Sequence, residues 1–170
     1  MTLDTQSLSN LSARSLVALA GAGSASVLAS ALVFQSLGFQ PCELCILQRW
    51  PHLAAAVLAA LVWALWQKAP ALRPPLSLAG AALMVLSSGL GLYHSGVERH
   101  IFAGPDSCTS GPVGTLSASD LLAQINAAPL VRCDEIVWDI FGITMPNLNA
   151  AASLGFAALW LWAALKARRG

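Results

Sequence analysis

At 170 residues the chain is sized for one domain, yet 56% of it is hydrophobic and only 10% is charged, against roughly 25% charged residues in ordinary soluble domains. A soluble fold of this length cannot hide that much apolar surface from water. With a net charge of +1, no nucleic-acid partner is expected.

A membrane-crossing helix requires about 20 residues without uncompensated charge, at about 1.5 Å of rise each. Four charge-free intervals qualify: 15–34, 50–67, 74–97 and 140–165. They predict an all-α, polytopic membrane protein, a single membrane domain of four transmembrane helices at 15–36, 47–67, 74–94 and 144–165. Two extracytoplasmic loops, 37–46 and 95–143, join them. The first interval also carries small residues such as Ala29 and Ala31, which a cleaved signal peptide would need. However, only Arg14 precedes it as a cation, beside Asp4, and the run is long enough to span. Continuous runs rich in Ala and Leu favour helices over barrel strands, which alternate.

Charge placement orients the bundle. Arg14, Lys68, Arg73, Lys166, Arg168 and Arg169 fall on one side, and only Arg49, Arg99 and Arg132 on the other, although that side has the longest loop. Both termini and the turn from Lys68 to Arg73 are therefore assigned to the cytoplasm. Of the acidic residues only Asp4 lies on that side; Glu43, Glu98, Asp106, Asp120, Asp134, Glu135 and Asp139 lie opposite. Trp50 and Trp138 fall at outer span ends and Trp63, Trp66, Trp160 and Trp162 at inner ones, as interfacial indoles would as a set, while a plain core role fits any single one of them equally well.

Every cysteine lies in an external loop, where disulfides persist. Cys42 and Cys45 form a C-x-x-C unit at the start of the second span, where unpaired N–H groups and the helix dipole favour a thiolate. Haem attachment is excluded because Ile46 follows the second cysteine. Structural zinc would want a second close ligand pair, whereas Cys108 and Cys133 are 25 positions apart. No metal is expected, and His52, His94 and His100 read as interfacial or packing residues.

Arg49 stands four positions after Cys45, on the same helical face one turn deeper. It is either a cation snorkelling to lipid phosphate or a donor to a quinone carbonyl, stabilising charge as the Cys45 thiolate attacks the ring. Gln48 adds a neutral donor or acceptor beside it. Pro51 belongs to the first turn of the span or to a kink just inside it.

The long loop is punctuated by Gly104, Pro105, Gly111, Pro112, Gly114 and Pro129, which argues against a regular external domain. Leu116, Leu121, Leu122 and Ile125 form one apolar side of a short surface helix. Cys108, in the Gly/Pro-rich stretch, is expected to be mobile and exposed, open to attack by a protein partner. A purely structural Cys108–Cys133 bridge would instead stabilise the loop by about 3 kcal/mol.

Together these residues resemble the DsbB disulfide-forming membrane proteins of bacteria. The resemblance is carried by the run from Pro41 through Cys42, Cys45 and Gln48 to Arg49; by Tyr93, His94, Ser95, Gly96, Val97 and Glu98; by Gly104 and Pro105 ahead of Cys108; and by Cys133, Glu135, Trp138, Asp139, Gly142, Met145 and Pro146. It implies an inner-membrane four-helix bundle whose catalytic residues are Cys42, Cys45, Cys108 and Cys133. A reduced periplasmic thioredoxin-like DsbA-type oxidase would attack Cys108 and reduce a Cys108–Cys133 disulfide. The electrons would pass to Cys42 and Cys45 through a transient Cys42–Cys133 link, then to ubiquinone or menaquinone beside Arg49, Gln48 and His94. Glu98 approaches the same site by this analogy. Gln48 stands where some relatives carry an acidic residue, which bears on quinone type and site polarity.

Three other functions fit parts of the pattern. A scaffold braced by inert disulfides leaves Arg49 without a reason. A pathway carrying electrons outward needs transmembrane or cytoplasmic cysteines, and none is present. A paralogue dedicated to one thiol partner would share every feature above.

Overall fold

The computed structural model describes residues 11–108, 131–169 and, between them, 117, 119, 122 and 126. Four helices dominate: α1 (Ala13–Ser36), α2 (Glu43–Leu65), α3 (Arg73–Glu98), which a 3-10 turn at Pro70–Leu72 precedes, and α4 (Met145–Arg169). All four are long and apolar enough to cross a membrane. Only 28 to 33% of their most apolar stretches is buried inside the bundle; Leu32, Val33, Leu61, Val85 and Leu154 face outward. Such a surface is stable against lipid and not against water. The surface helix expected from Leu116, Leu121, Leu122 and Ile125 falls, but for Leu122 itself, outside the described residues.

Helix ends are set by local chemistry. α1 stops at a left-handed Gly38, φ 100°: the Phe39 N–H reaches Phe34 O at 3.2 Å and the Gly38 N–H reaches Gln35 O at 3.1 Å. The Phe34 and Phe39 rings meet edge-on at 5.8 Å, completing a Schellman stop. α2 begins at Glu43, four residues before the expected 47, because the Cys42 sulfur caps it by accepting the Cys45 N–H at 3.3 Å. Pro51 therefore lies inside α2, well past its first turn. α3 runs on to Glu98, beyond the expected 94, and keeps His94, Ser95 and Glu98 in helical register.

A feature absent from the sequence reading precedes α4. Asp139–Ile140 and Ile143–Thr144 pair as a two-residue hairpin, with φ positive at both Phe141 and Gly142, the condition a type I′ turn imposes. Arg99 ties this hairpin to α3 and α4 by donating to Gly142 O at 2.6 Å, Asn147 Oδ1 at 3.1 Å and Ser95 O at 3.1 Å.

α1 and α3 each pack against both α2 and α4, closing a ring. Lipid supplies no hydrophobic drive for this packing, so close approach at small residues has to hold it. A Cβ on Gly21 would sit 2.2 Å from Ala59 Cβ, and one on Gly80 would sit 2.4 Å from the Trp160 ring. Trp160 is fully buried with Leu16, Val17, Ala55, Val62 and Met84, so it is a core residue and not part of an interfacial belt, because Gly80 leaves room for its ring. The other aromatics at that end do meet the basic residues: Arg14 lies 4.1 Å from the Trp63 ring centre, Arg73 4.8 Å from Trp66 and Lys166 5.4 Å from Trp162.

Gly80→Val should lose about 1–3 kcal/mol by forcing Trp160 out of place, seen as a lower unfolding midpoint in detergent. Gly89→Ala, with open space around its Cβ, should leave that midpoint unchanged.

Candidate functional site

The stop at Gly38 and the following Pro41 deliver Cys42 to the capping position just ahead of α2. The two-residue spacing then folds Cys45 back onto its cap, and the Cys42 thiol donates to Cys45 Sγ at 2.9 Å. Cys42 is 5% exposed, and the two sulfurs are not bonded to each other. The hydrogen bond to Cys45, followed by burial, pushes the Cys42 thiol well above its ordinary pKa, against the weaker pull of the Cys45 and Leu44 backbone groups. Of the pair, Cys42 holds its proton. The helix start that favours thiolate chemistry by position does not therefore serve both sulfurs alike.

α3 brings His94 to this pair, with Nε2 3.5 Å from Cys42 Sγ and Nδ1 2.8 Å from Gln48 Nε2. The Arg49 Nη1 donates to Gln35 Oε1 at 2.7 Å, while its buried Nε has no hydrogen-bond partner among the described residues. A cavity of about 340 Å³ opens here, within the range of small-molecule sites. Its polar end carries Cys42, Cys45, Gln48, Arg49, His94 and Glu98, and its apolar wall carries Val27, Leu28, Ala31 and Phe34 of α1 with Met145 and Leu148 of α4. Cys42, Cys45 and His94 also place three donor atoms within 4.8 Å of one another, a set fit for a soft metal. Spacing could not reveal it, because the histidine comes from another helix.

Cys108 and Cys133 form a disulfide. The expectation that Cys108 would be exposed is overturned: it is 1% exposed and Cys133 is fully buried. The reason is packing, since both join Cys42, Leu44 and Val97 in one apolar cluster, and the Cys133 N–H donates to Cys108 O at 2.7 Å. The outer disulfide thus sits directly on the C-x-x-C unit. Beside it, Arg132 grips Asp134 through two bonds of 2.9 and 2.7 Å and holds that carboxyl below the usual range.

Of the three histidines, His100 is exposed at the end of α3. His52 is buried in α2, its Nε2 2.8 Å from Asn149 Oδ1 and its ring edge-on to Phe156, which fits a packing residue and not an interfacial one. Two site residues escaped the sequence reading, Gln35 and Asn149. Both are polar side chains inside apolar runs, and that anomaly was the available signal.

A family model described as "Disulfide bond formation protein DsbB" matches residues 13–163. Among curated relatives, "Disulfide bond formation protein B" of Albidiferax ferrireducens is 28% identical over 140 residues, covering 73% of this chain and 74% of that protein. The protein of the same name from a Polaromonas species is 26% identical over 160 residues, covering 87% and 88%. No solved structure matches.

If Cys42 is the sulfur that keeps its proton, brief iodoacetamide treatment of the native protein near neutral pH should alkylate Cys45 well before Cys42. Peptide mapping reads this directly, and equal labelling would contradict the assignment.

Proposed function

The chain belongs to the DsbB family of disulfide bond formation proteins, multi-pass membrane oxidoreductases that generate disulfides, and we propose that it is a thiol:quinone oxidoreductase. Its electron donor is a periplasmic thioredoxin-like dithiol oxidase of the DsbA type, and its acceptor is ubiquinone or menaquinone. The observation that carries this reading is the stacking of the buried Cys108–Cys133 disulfide on the Cys42–Cys45 dithiol at the polar end of an apolar cavity.

The cavity suits a quinone. Its walls are apolar where an isoprenoid-bearing ring would lie, and the unpartnered Arg49 Nε is a buried donor in want of an acceptor such as a ring carbonyl. A quinone, when bound, supplies a sink for two electrons and two protons. Arg49 is held in place by Gln35 and presents its charge where electron density accumulates. Gln48 uses its amide on Leu44, His94 and Asn149, so it serves the site by holding its neighbours.

The relay is a set of thiol–disulfide exchanges. A partner thiolate attacks Cys108 and Cys133 leaves; the partner's second thiol displaces Cys108 and closes the partner's disulfide. Cys133 attacks Cys42 of an oxidised inner pair and Cys45 leaves; Cys108 then closes on Cys133 and releases Cys42. The inner dithiol, renewed in this way, gives up its electron pair from Cys45, beside Arg49, as Cys42 loses its proton and re-forms the inner disulfide. Overall, the partner dithiol loses two electrons and two protons and the acceptor gains them.

The site lies at the periplasmic face of the inner membrane, with both termini cytoplasmic. The support is the grouping of Arg14, Arg73 and Lys166 with Trp63, Trp66 and Trp162 at the opposite end.

Purified protein mixed with a reduced DsbA-type oxidase and a short-chain quinone should turn over, followed by quinone absorbance. Turnover should vanish in Cys45→Ser and fall about a hundredfold in Arg49→Ala; Cys108→Ser should block the partner yet leave the inner pair oxidisable by quinone. Unchanged rates in both Cys45→Ser and Arg49→Ala would sink the proposal and favour a scaffold with bracing disulfides. In a background lacking the native cysteines, Lys68→Cys should react with a membrane-impermeant maleimide only after the inner membrane is permeabilised.

A further inference from the structure

The buried and half-buried polar side chains between α2, α3 and α4 form a chain in which a single backbone atom dictates every orientation. Leu44 O can only accept, and it lies 3.1 Å from one end of the Gln48 amide, so that end is the NH2 group. The same NH2 lies 2.8 Å from His94 Nδ1, which must therefore be the bare nitrogen. The Gln48 Oε1 then faces Asn149 at 2.7 Å and takes a hydrogen bond from its Nδ2. That turns Asn149 Oδ1 toward His52 Nε2, 2.8 Å away, which must carry a proton. The opposite tautomer of His52 would set two lone pairs against each other there and bury an N–H at Nδ1, which has no partner among the described residues.

We propose that Gln48, Asn149 and His52 are positioning residues that lock His94 in its neutral Nε2–H form and hold that N–H between the Cys42 sulfur, 3.5 Å away, and the Cys133 backbone, to which the ring also hydrogen-bonds. The inference rests on the redox reading of Cys42 and Cys45. Donors then run one way through the membrane-embedded part of the site: His52 to Asn149, Asn149 to Gln48, Gln48 to His94, His94 to Cys42 and Cys42 to Cys45. The raised Cys42 thiol agrees with this order. Two consequences follow. His94 cannot serve as the base for Cys42, because Nε2 already holds a proton and Nδ1 is occupied; and the electron-rich sulfur of the reduced pair is the one at the end of the chain, beside Arg49. When Cys42 leaves as a thiolate during exchange with the outer pair, the Nε2–H is already in place to stabilise it.

The test is 15N NMR of histidine-labelled, reduced full-length protein in lipid nanodiscs, with the His94 resonances assigned by their loss in His94→Asn. The expected result is a bare Nδ1 and a protonated Nε2. Asn149→Leu and Gln48→Met should mix the two tautomers and lower kcat of the quinone-linked reaction about tenfold, with KM for the partner dithiol unchanged. Gln48→Glu, which puts an acceptor opposite His94, should move the proton to Nδ1. A doubly protonated or Nδ1–H His94 in the unaltered protein would overturn the inference even if every variant failed to fold. So would nitrogen shifts that do not move in Asn149→Leu and Gln48→Met. Absence of quinone turnover in the unaltered protein is a separate outcome: it removes the relay reading and leaves the tautomer measurement standing.

Discussion

The first turn of α2 is where fold and chemistry depend on the same bonds. Cys42 is at once the residue that caps the helix, through the Cys45 N–H on its sulfur, and the donor in the sulfur–sulfur contact. A helix start has unpaired N–H groups that need acceptors, and here a redox-competent sulfur meets one of those needs. Moving the helix start by one residue would lose the cap and the dithiol together. The Schellman stop at Gly38 and the rigid Pro41 matter for the same reason: they bring the chain back from α1 so that Cys42, and no neighbour, takes the capping position.

Around that turn, the two cysteine pairs are packed into one layer. Proteins that exchange disulfides with a partner need a reachable sulfur, yet Cys108 and Cys133 are both packed against Cys42, Leu44 and Val97. Close stacking brings the two pairs together and keeps water from the outer disulfide. Arg99, with its hydrogen bonds to the hairpin at Gly142 and to the first turn of α4, fixes that hairpin to the bundle.

Within the bundle, lipid imposes a strict rule on polar groups, since no water is present to pair with stray donors. Gln48, Asn149, His52, Ser87 and Ser153 obey it by bonding to one another across three helices. The Arg49 Nε and Glu98 Oε2 do not obey it, and both lie on the cavity. Ser77 Oγ, Trp160 Nε1 and Arg14 Nε break the rule away from the cavity, and every such atom is expensive in a membrane.

The four spans, the clustering of cations at one end and the C-x-x-C unit with Arg49 one turn on were all legible in the residues, because hydropathy, charge and helical periodicity are local properties. Legible only in part was the start of α2: the charge-free interval begins at 50 and the span is expected from 47, whereas the Cys42 cap, a matter of backbone hydrogen bonding, places it at Glu43. What chain order could not express was contact between elements. The burial of Cys108 depends on α2 and α3 lying beneath it, Trp160 becomes a core residue only because Gly80 of α3 faces it, and Gln35 meets Arg49 only after α1 has turned back on α2. Residue type and spacing thus determined which groups this membrane protein carries and roughly at what depth, while tertiary packing alone decided which of them touch, because hydrogen bonds and van der Waals contact act over a few ångströms between residues as far apart in sequence as His52 and Asn149.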